Sequence, residues 1–461
     1  MCPRPLKFYR SRFLMLLLGA AGLLGARAEI WRTGYFPGWE QDTMAAVNLD
    51  FATLTHVMHF AATPLGNGLL DTNANSLTLA KSVDVVTRAH AAGRKVLICI
   101  GGGGVQAGFQ GAASAPNLAT FIHSITNFMA ARGYDGVDLD WEPLPTTDAP
   151  AFTNLVRGLR TALNAFPQPK LLTVAVGAYP PYGDSPTAQY QMYAALQDQF
   201  DQINVMAYDL SGPYSGWVTW FNSPLYDGGY RFPSSGGLVP SSDVALNNFL
   251  SNGVAPGKLG LGIAFYGYGW TGASGAPTGG VLLPRQSWTN APTMTAYGYA
   301  TIMSTFYQTN RYHWDASAQA AYLSVTNAIP SNHIFLSYDD SRTCQAKVSY
   351  VRNHSLGGVM IWALGQDYQI GQPEPLLQAI KQALATPGSL AIQRSNQAMQ
   401  LGFTSLPLGA YRIQWTGDLS TSNAWNTLAV TNISGPGGLL QITDPNLSTQ
   451  PQRFYRVQTP P

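Results

Sequence analysis

Eight short apolar runs, rich in β-branched and aromatic residues, recur between Trp31 and Leu364 with helical-period segments between them, and this alternation restricts the architecture more than any other feature. The runs are WRTGYF (31–36), LTHVMHFA (54–61), KVLICIG (95–101), DGVDLDW (135–141), LLTVAVGA (171–178), QINVMAY (202–208), KLGLGIAFY (258–266) and GGVMIWAL (357–364). Nearly continuous apolar strands imply burial on both faces, as for parallel strands covered by helices. Between them, Leu118, Phe121, Ile122, Ile125, Phe128 and Met129 fall on one helical stripe. Phe152, Leu155, Val156, Leu159, Leu163 and Phe166 fall on another, with Asp148 placed to cap that helix. The fold class expected is α/β, a closed (β/α)8 TIM barrel, with a doubly wound open sheet as the rival.

The gap between the seventh and eighth runs is about twice the others, and a structureless loop of that length is uncommon in a folded domain. The expectation is an inserted α+β subdomain at about 268–340, between strand 7 and helix 7 of a catalytic domain spanning 29–385. A linker over 386–390, within ATPGSL, precedes a change of pattern. From 391 to 461 short alternating runs are broken by SGPGG and DPN, which predicts a small C-terminal all-β, sandwich-like domain. Trp415, Trp425 and Tyr455 there are either its core or a sugar-binding platform.

Residues 1–28 read as an export signal: Arg4, Lys7, Arg10 and Arg12, then FLMLLLGAAGLLG, then Ala26-Arg27-Ala28. A membrane anchor is the alternative, but the apolar stretch is short against the roughly 20 residues needed to span a bilayer. The expectation is a secreted, extracellular protein with no membrane anchor after signal removal. Taking the signal's five basic residues from the 26 leaves 21 against 24 acidic, a balance of −3. No Lys/Arg cluster is present, so nucleic acid is not expected as a partner. Cys99 and Cys344 are compatible with a disulfide in an oxidising compartment but form no framework. No CxxC, HExxH or Cys/His cluster has ligand spacing, so neither a metal nor another cofactor is expected.

Four carboxylates crowd YDGVDLDWEP (134–143) in a chain only 11% charged. On a strand, Asp138, Asp140 and Glu142 share one face while Val137, Leu139 and Trp141 take the other. If the apolar set meets the helices, the acids point into the barrel and climb toward its C-terminal mouth, where barrel active sites lie. Ordinary salt bridges or metal ligation are the plain alternatives, yet no nearby Arg or Lys pattern supplies partners. Carboxylates packed together must share protons, which raises at least one pKa and produces what a general acid requires.

DGVDLDWE fits the DGxDxDWE signature of glycoside hydrolase family 18, the chitinases and their relatives, and the chain resembles that family over about 29–385. THVMHFA is similar to its second strand, INVMAYD to its sixth, LGIAFYG to its seventh, SYDD to the end of its inserted subdomain and LGGVMIWALGQD to its eighth strand. The resemblance implies that Glu142 protonates the glycosidic oxygen and that the substrate's own N-acetyl carbonyl replaces a nucleophilic carboxylate. It implies that Asp140 holds the acetamido N–H and stabilises an oxazolinium cation, with Asp138 behind it sharing a proton. Tyr208 would donate to the acetamido carbonyl, Met206 and Asp209 would line the subsite, Trp362 would form its apolar floor, and Tyr35 would lie beneath the aspartates. Asp135 takes a structural role. Three positions depart from the family pattern: Cys99 replaces a Ser that would donate to the inner aspartate, Pro143 replaces an aromatic, and Tyr268 replaces an Arg.

Aromatics following the strands, Trp39, Tyr179, Tyr182, Trp217, Trp220 and Trp270, are candidate stacking surfaces for sugar rings, with Trp217 and Trp220 the leading substrate-binding pair. GGGVQA (102–107) matches a dinucleotide fingerprint, but no acid occurs between Gly104 and Asp135 to hold a ribose, so it reads as a tight barrel loop near the cleft. The expected function is hydrolysis of β-1,4 bonds in chitin or chitooligosaccharides. The alternatives are an endo-β-N-acetylglucosaminidase acting on glycoprotein glycans and a non-hydrolytic chitin-binding lectin. The oligomeric state is left open.

Overall fold

Each of the eight apolar runs forms a strand, and the eight close on themselves. The computed structural model describes residues 29–181, 183–369, 374–384, 391–395, 398–405, 410–418, 425–432, 438–445 and 453–458. The expected signal over 1–28, the linker over 386–390 and Tyr182 lie outside the described residues. The barrel strands are β1 (Trp31–Pro37), β2 (His56–Pro64), β4 (Lys95–Gly103), β5 (Gly136–Glu142), β6 (Leu171–Gly177), β7 (Gln202–Met206), β8 (Leu259–Ala264) and β14 (Gly358–Trp362). All neighbours pair in parallel in the order β1-β14-β8-β7-β6-β5-β4-β2, and β2 pairs with β1 to complete the ring. Closure excludes the open doubly wound sheet. A two-residue strand, β3 (Leu70–Asp71), pairs antiparallel with the end of β2.

Helices cover the strands: α1 (Leu79–Ala91), α2 (Gln106–Ala112), α3 (Leu118–Ala131), α4 (Ala149–Asn164), α5 (Pro186–Leu196) and α6 (Ser242–Ser251). The stripes on α3 and α4 bury Phe121, Ile125 and Met129, and Phe152, Leu155, Val156, Leu159 and Leu163, against the strands' outer face. Trp141 belongs to that outer layer, stacked 4.6 Å from Phe109. The expected cap of α4 does not form. Asp148 occupies the N-cap position, but its carboxylate accepts from the Gln106 and Gln110 amides of α2, which take both of its oxygens.

The insertion is a five-stranded antiparallel sheet of β9 (Tyr266–Gly272), β10 (Pro292–Gly298), β11 (Tyr312–Asp315), β12 (Ala320–Val325) and β13 (Ile334–Tyr338), in the order β10-β9-β13-β12-β11. A helical turn, α7 (Tyr299–Thr301), leads into a π-helical turn at Ile302–Phe306. The chain then enters α8 (Ser341–Asn353), β14 and α9 (Pro375–Leu384). A buried ion pair ties the insertion to the barrel: Lys347 of α8 donates to Asp339 and to Ser223.

The C-terminal residues form two antiparallel sheets: β15 (Ala391–Ser395), β16 (Ala398–Ser405) and β19 (Gly438–Asp444), and β17 (Ala410–Thr416), β18 (Asn426–Asn432) and β20 (Phe454–Gln458). One apolar cluster, centred on Leu401, Tyr411 and Ile413, draws on both sheets, the arrangement of a small sandwich. Tyr455 packs against that cluster. Trp415 and Trp425 are half-buried with one ring face under a guanidinium, Arg453 at 4.0 Å and Arg456 at 4.1 Å. Cys99, inside the barrel, and Cys344, on α8, are both free and buried, so the two are not bonded.

Candidate active site

Strand alternation places Asp138 and Asp140 inside the barrel, at 0% and 3% exposure, and Glu142 at its mouth. Register then decides their neighbours. Cys99 on β4 and Thr173 on β6 stand opposite Asp138, so all three share one interior layer. Gly101 and Gly103 stand opposite Asp140 and Glu142 and leave the space above the acids open. Gly101 has φ 123°, and a Cβ there would lie 2.0 Å from the Asp140 carbonyl oxygen, so only glycine fits.

Asp138 accepts from the Thr173 hydroxyl at 2.6 Å and the Tyr35 hydroxyl at 2.7 Å, and the Cys99 thiol points to it as a third donor. Burial pushes its pKa up to about 6 against the pull of these donors. Burial and the nearby carboxylates hold the thiol itself well above its ordinary range, so it stays protonated. Two hydroxyl donors thus compensate for the weaker S–H at the position where the family pattern has Ser.

Asp140 hydrogen-bonds to Glu142, not to Asp138, which corrects the expected sharing with the inner aspartate. The physical reason is that Tyr35, Thr173 and Cys99 already occupy Asp138. Burial first, then the charges of Glu142 and Asp138, push the Asp140 pKa well above the carboxylate range. Glu142 is raised by burial and by the charge of Asp209, while the Asp140 hydrogen bond pulls it down. Both carboxyls are thus pushed toward their protonated forms, by burial above all. The Asp140 Oδ1 oxygen is buried with no hydrogen-bond partner among the described residues.

Asp140 and Glu142 line a cleft of about 450 Å³ together with Met206, Tyr208, Asp209 and Trp362, while Asp138 lies buried beneath it. Among the described residues Tyr208 donates only to the Met360 thioether, at 3.5 Å. Asp209 has φ 57° and donates its N–H to the Asn222 side chain, which turns its carboxylate to accept from Tyr266 and, at 2.9 Å, from Tyr268. Tyr268 thus takes up the carboxylate where the family pattern often has Arg. The Trp362 ring is held by Phe60 at 4.8 Å and Tyr35 at 5.7 Å. Tyr35, expected among the substrate-binding residues, does not line the cleft. It lies beneath Asp138 at 1% exposure and acts through that aspartate. Asp135 pairs outside the barrel with Lys95, His90 and the Val96 N–H, which together outweigh burial and hold its pKa low.

The aromatic candidates separate. Trp39 is 39% exposed and lines the cleft beside Phe60. Trp217 lines an adjoining cavity of about 760 Å³ with Tyr179, Tyr214 and Leu238, and Asp209 belongs to both cavities. Trp220 is not a sugar-stacking surface: it is fully buried, donates to the Pro240 carbonyl at 2.8 Å and carries Arg285 at 5.1 Å from its ring. Its polar surroundings in sequence come from a loop that folds back onto the insertion's own core. Trp270 is buried in the same cluster. The GGGVQA loop does reach the cleft, through Gly102, Gly103 and Val105. Phe60, Thr63 and Asn75 line it too and were not singled out from the sequence. Strand alternation conceals Phe60 because the β2–β4 register shifts between His59 and Ala62. Among the described residues no group of three or more His, Cys, Asp or Glu is arranged to hold a metal ion.

The model of glycosyl hydrolases family 18 matches residues 32–367. The chain belongs to this family. It is 30% identical to mouse chitotriosidase-1, a match covering 77% of this chain and 78% of that protein. A group IV chitinase from Ostrinia furnacalis, solved in complex with allosamidin, superposes with a TM-score of 0.66 at 21% identity, over 77% of this chain and 99% of that one. A chitinase-like agglutinin from Robinia pseudoacacia superposes with a TM-score of 0.63 at 25% identity, over 77% and 99%. The family 18 signature strand of this chain is β5, and its last residue is the glutamate at the cleft mouth.

Proposed function

We infer that this protein is a secreted chitinase that cleaves β-1,4 bonds between N-acetylglucosamine units by substrate-assisted, retaining catalysis. The observation that carries this reading is the Asp140–Glu142 carboxyl pair in the cleft, hydrogen-bonded to each other and pushed toward the protonated form chiefly by burial. A sugar in the cleft rests on Trp362. Its acetamido N–H bonds to the unpartnered Asp140 Oδ1, and its acetamido carbonyl accepts from Tyr208, whose present partner is only a thioether. The carbonyl oxygen attacks the anomeric carbon as the glycosidic C–O bond breaks, and Glu142 gives its proton to the departing oxygen. Asp140, backed by the buried Asp138, faces the oxazolinium cation that results. Water then attacks the same carbon, passes a proton to the Glu142 carboxylate and regenerates the acetamide, so configuration is retained.

The match to chitotriosidase-1 and the allosamidin-bound relative support a chitin-type substrate. Export rests on residues 1–28, whose pattern is that of a cleaved signal. The similarity to an agglutinin keeps a second reading in view, a lectin on the same scaffold, but the intact acid pair favours hydrolysis. Incubation with chitohexaose decides between them. Release of shorter oligosaccharides of retained anomeric configuration is expected; binding without cleavage at high protein concentration overturns the hydrolytic reading, and cleavage confined to glycoprotein glycans overturns the choice of chitin.

A further inference from the structure

A cavity of about 540 Å³ opens between the end of the insertion and the start of α8, and it shares no lining residue with the catalytic cleft. Its size falls within the roughly 300–1,000 Å³ of small-ligand pockets. Four tyrosines, Tyr299, Tyr307, Tyr312 and Tyr338, surround it together with Asp340 and Arg342.

The polar groups are unevenly satisfied. Asp340 is fixed as the cap of α8, accepting from the Thr343 N–H at 2.8 Å and from the Tyr312 hydroxyl at 2.9 Å. Arg342 lies 4.0 Å over the Trp314 ring and donates no hydrogen bond to any described residue. Tyr299 and Tyr338 have buried rings, at 7% and 3% exposure, yet neither hydroxyl is a sealed, unpartnered atom, so both reach the open volume. A tyrosine cluster that served packing alone would cross-bond its hydroxyls or bond them to backbone. Here the phenols of Tyr299, Tyr307 and Tyr338 have no described acceptor.

The composition selects a ligand class. One carboxylate and one guanidinium balance, so the pocket does not favour an anion or a cation. Burial first and the Asp340 charge second hold the Tyr299, Tyr312 and Tyr338 hydroxyls protonated, so they act as neutral donors and acceptors. Flat rings beside neutral hydroxyls suit a ligand with apolar C–H faces and many O–H groups at its edge.

We propose that this pocket is a second, non-catalytic saccharide site that takes one sugar unit or chain end by stacking on Tyr307 and Tyr312 and bonding to Asp340, Arg342 and the hydroxyls of Tyr299 and Tyr338. The choice of glycan rests on the chitinase reading; the pocket's geometry does not. Such a site holds the polymer to the enzyme independently of the cleft and raises the effective concentration of chain at the acid pair.

The test is titration calorimetry of chitotriose into the full chain carrying Glu142→Gln, which prevents turnover, with and without Tyr307→Ala and Arg342→Ala. Both substituted side chains are at least partly exposed, and an unchanged Tm verifies folding. Two sites falling to one is the expected result, with Tyr307→Phe intermediate in affinity. One site falling to none leaves the pocket standing and overturns the cleft's substrate. A count that does not change on substitution, or no binding at all, overturns the pocket. In the active enzyme the same pair is expected to lower turnover of insoluble chitin at least threefold while leaving kcat/KM on chitotriose within twofold.

Discussion

The carboxyl of Asp140 hydrogen-bonds to that of Glu142, while its Oδ1 is buried with no partner among the described residues. The two acids are thus placed for two different tasks. The outer carboxyl, pushed toward its protonated form by burial, can release a proton to a leaving group, and the inner one keeps an acceptor directed at the substrate's amide.

Replacing Glu142 by Gln preserves shape and hydrogen bonding but removes the transferable proton. Turnover of a chitooligosaccharide is expected to fall by about 10²–10⁴-fold, with the dissociation constant by calorimetry changed less than threefold. Retained turnover would show that another group protonates the glycosidic oxygen.

Asp209 adds its charge to the burial that raises the Glu142 pKa. Asp209→Asn removes that charge, so the Glu142 carboxylate becomes easier to form and the acid form is lost at lower pH. The alkaline limb of the kcat/KM profile is expected to move to lower pH. A limb that stays in place or moves upward contradicts the coupling.

Cys99→Ser puts a stronger O–H donor on Asp138. The carboxylate form gains, so the Asp138 pKa should fall below about 6, read by carboxyl carbon NMR, while kcat stays within about fivefold. An unchanged pKa would mean that Thr173 and Tyr35 alone set it.

Asp367 and Glu374 form a second buried carboxyl pair, away from the cleft. Burial pushes Asp367 up to about 7, and burial with the Asp367 charge pushes Glu374 up to about 9. Both folded values lie above the unfolded ones, so the folded state binds more protons from the ordinary carboxyl range up to about 9. The pair's contribution is complete at low pH and is lost as pH rises through these values. Tm is expected to decline between pH 5 and 9, and Glu374→Gln should flatten that decline. A Tm that rises across the window in the parent protein would refute the assignment.

Local pattern carried much of this protein. Period-2 alternation in seven residues of β5 was enough to place Asp138, Asp140 and Glu142 on one face and Trp141 on the other, because strand geometry leaves no other arrangement. Helical stripes on α3 and α4 likewise identified the face that meets the barrel. Exposure of single aromatics was not legible. Trp39 and Trp220 both follow barrel strands in polar surroundings, yet one lines the cleft and the other is sealed under Arg285. Asp148 stands where a cap belongs, but two glutamines from α2 take its carboxylate.

The division follows from range. Which side of a strand or helix a residue faces depends on backbone periodicity within a few neighbours, and the chain's own order determines it. Which partner a side chain meets depends on segments far away in sequence: the slipped register that admits Phe60, the Asn222 side chain that anchors Asp209, and the three donors that turn Asp140 away from Asp138 toward Glu142. Those choices compare contact energies across the closed barrel, and only the assembled structure makes them.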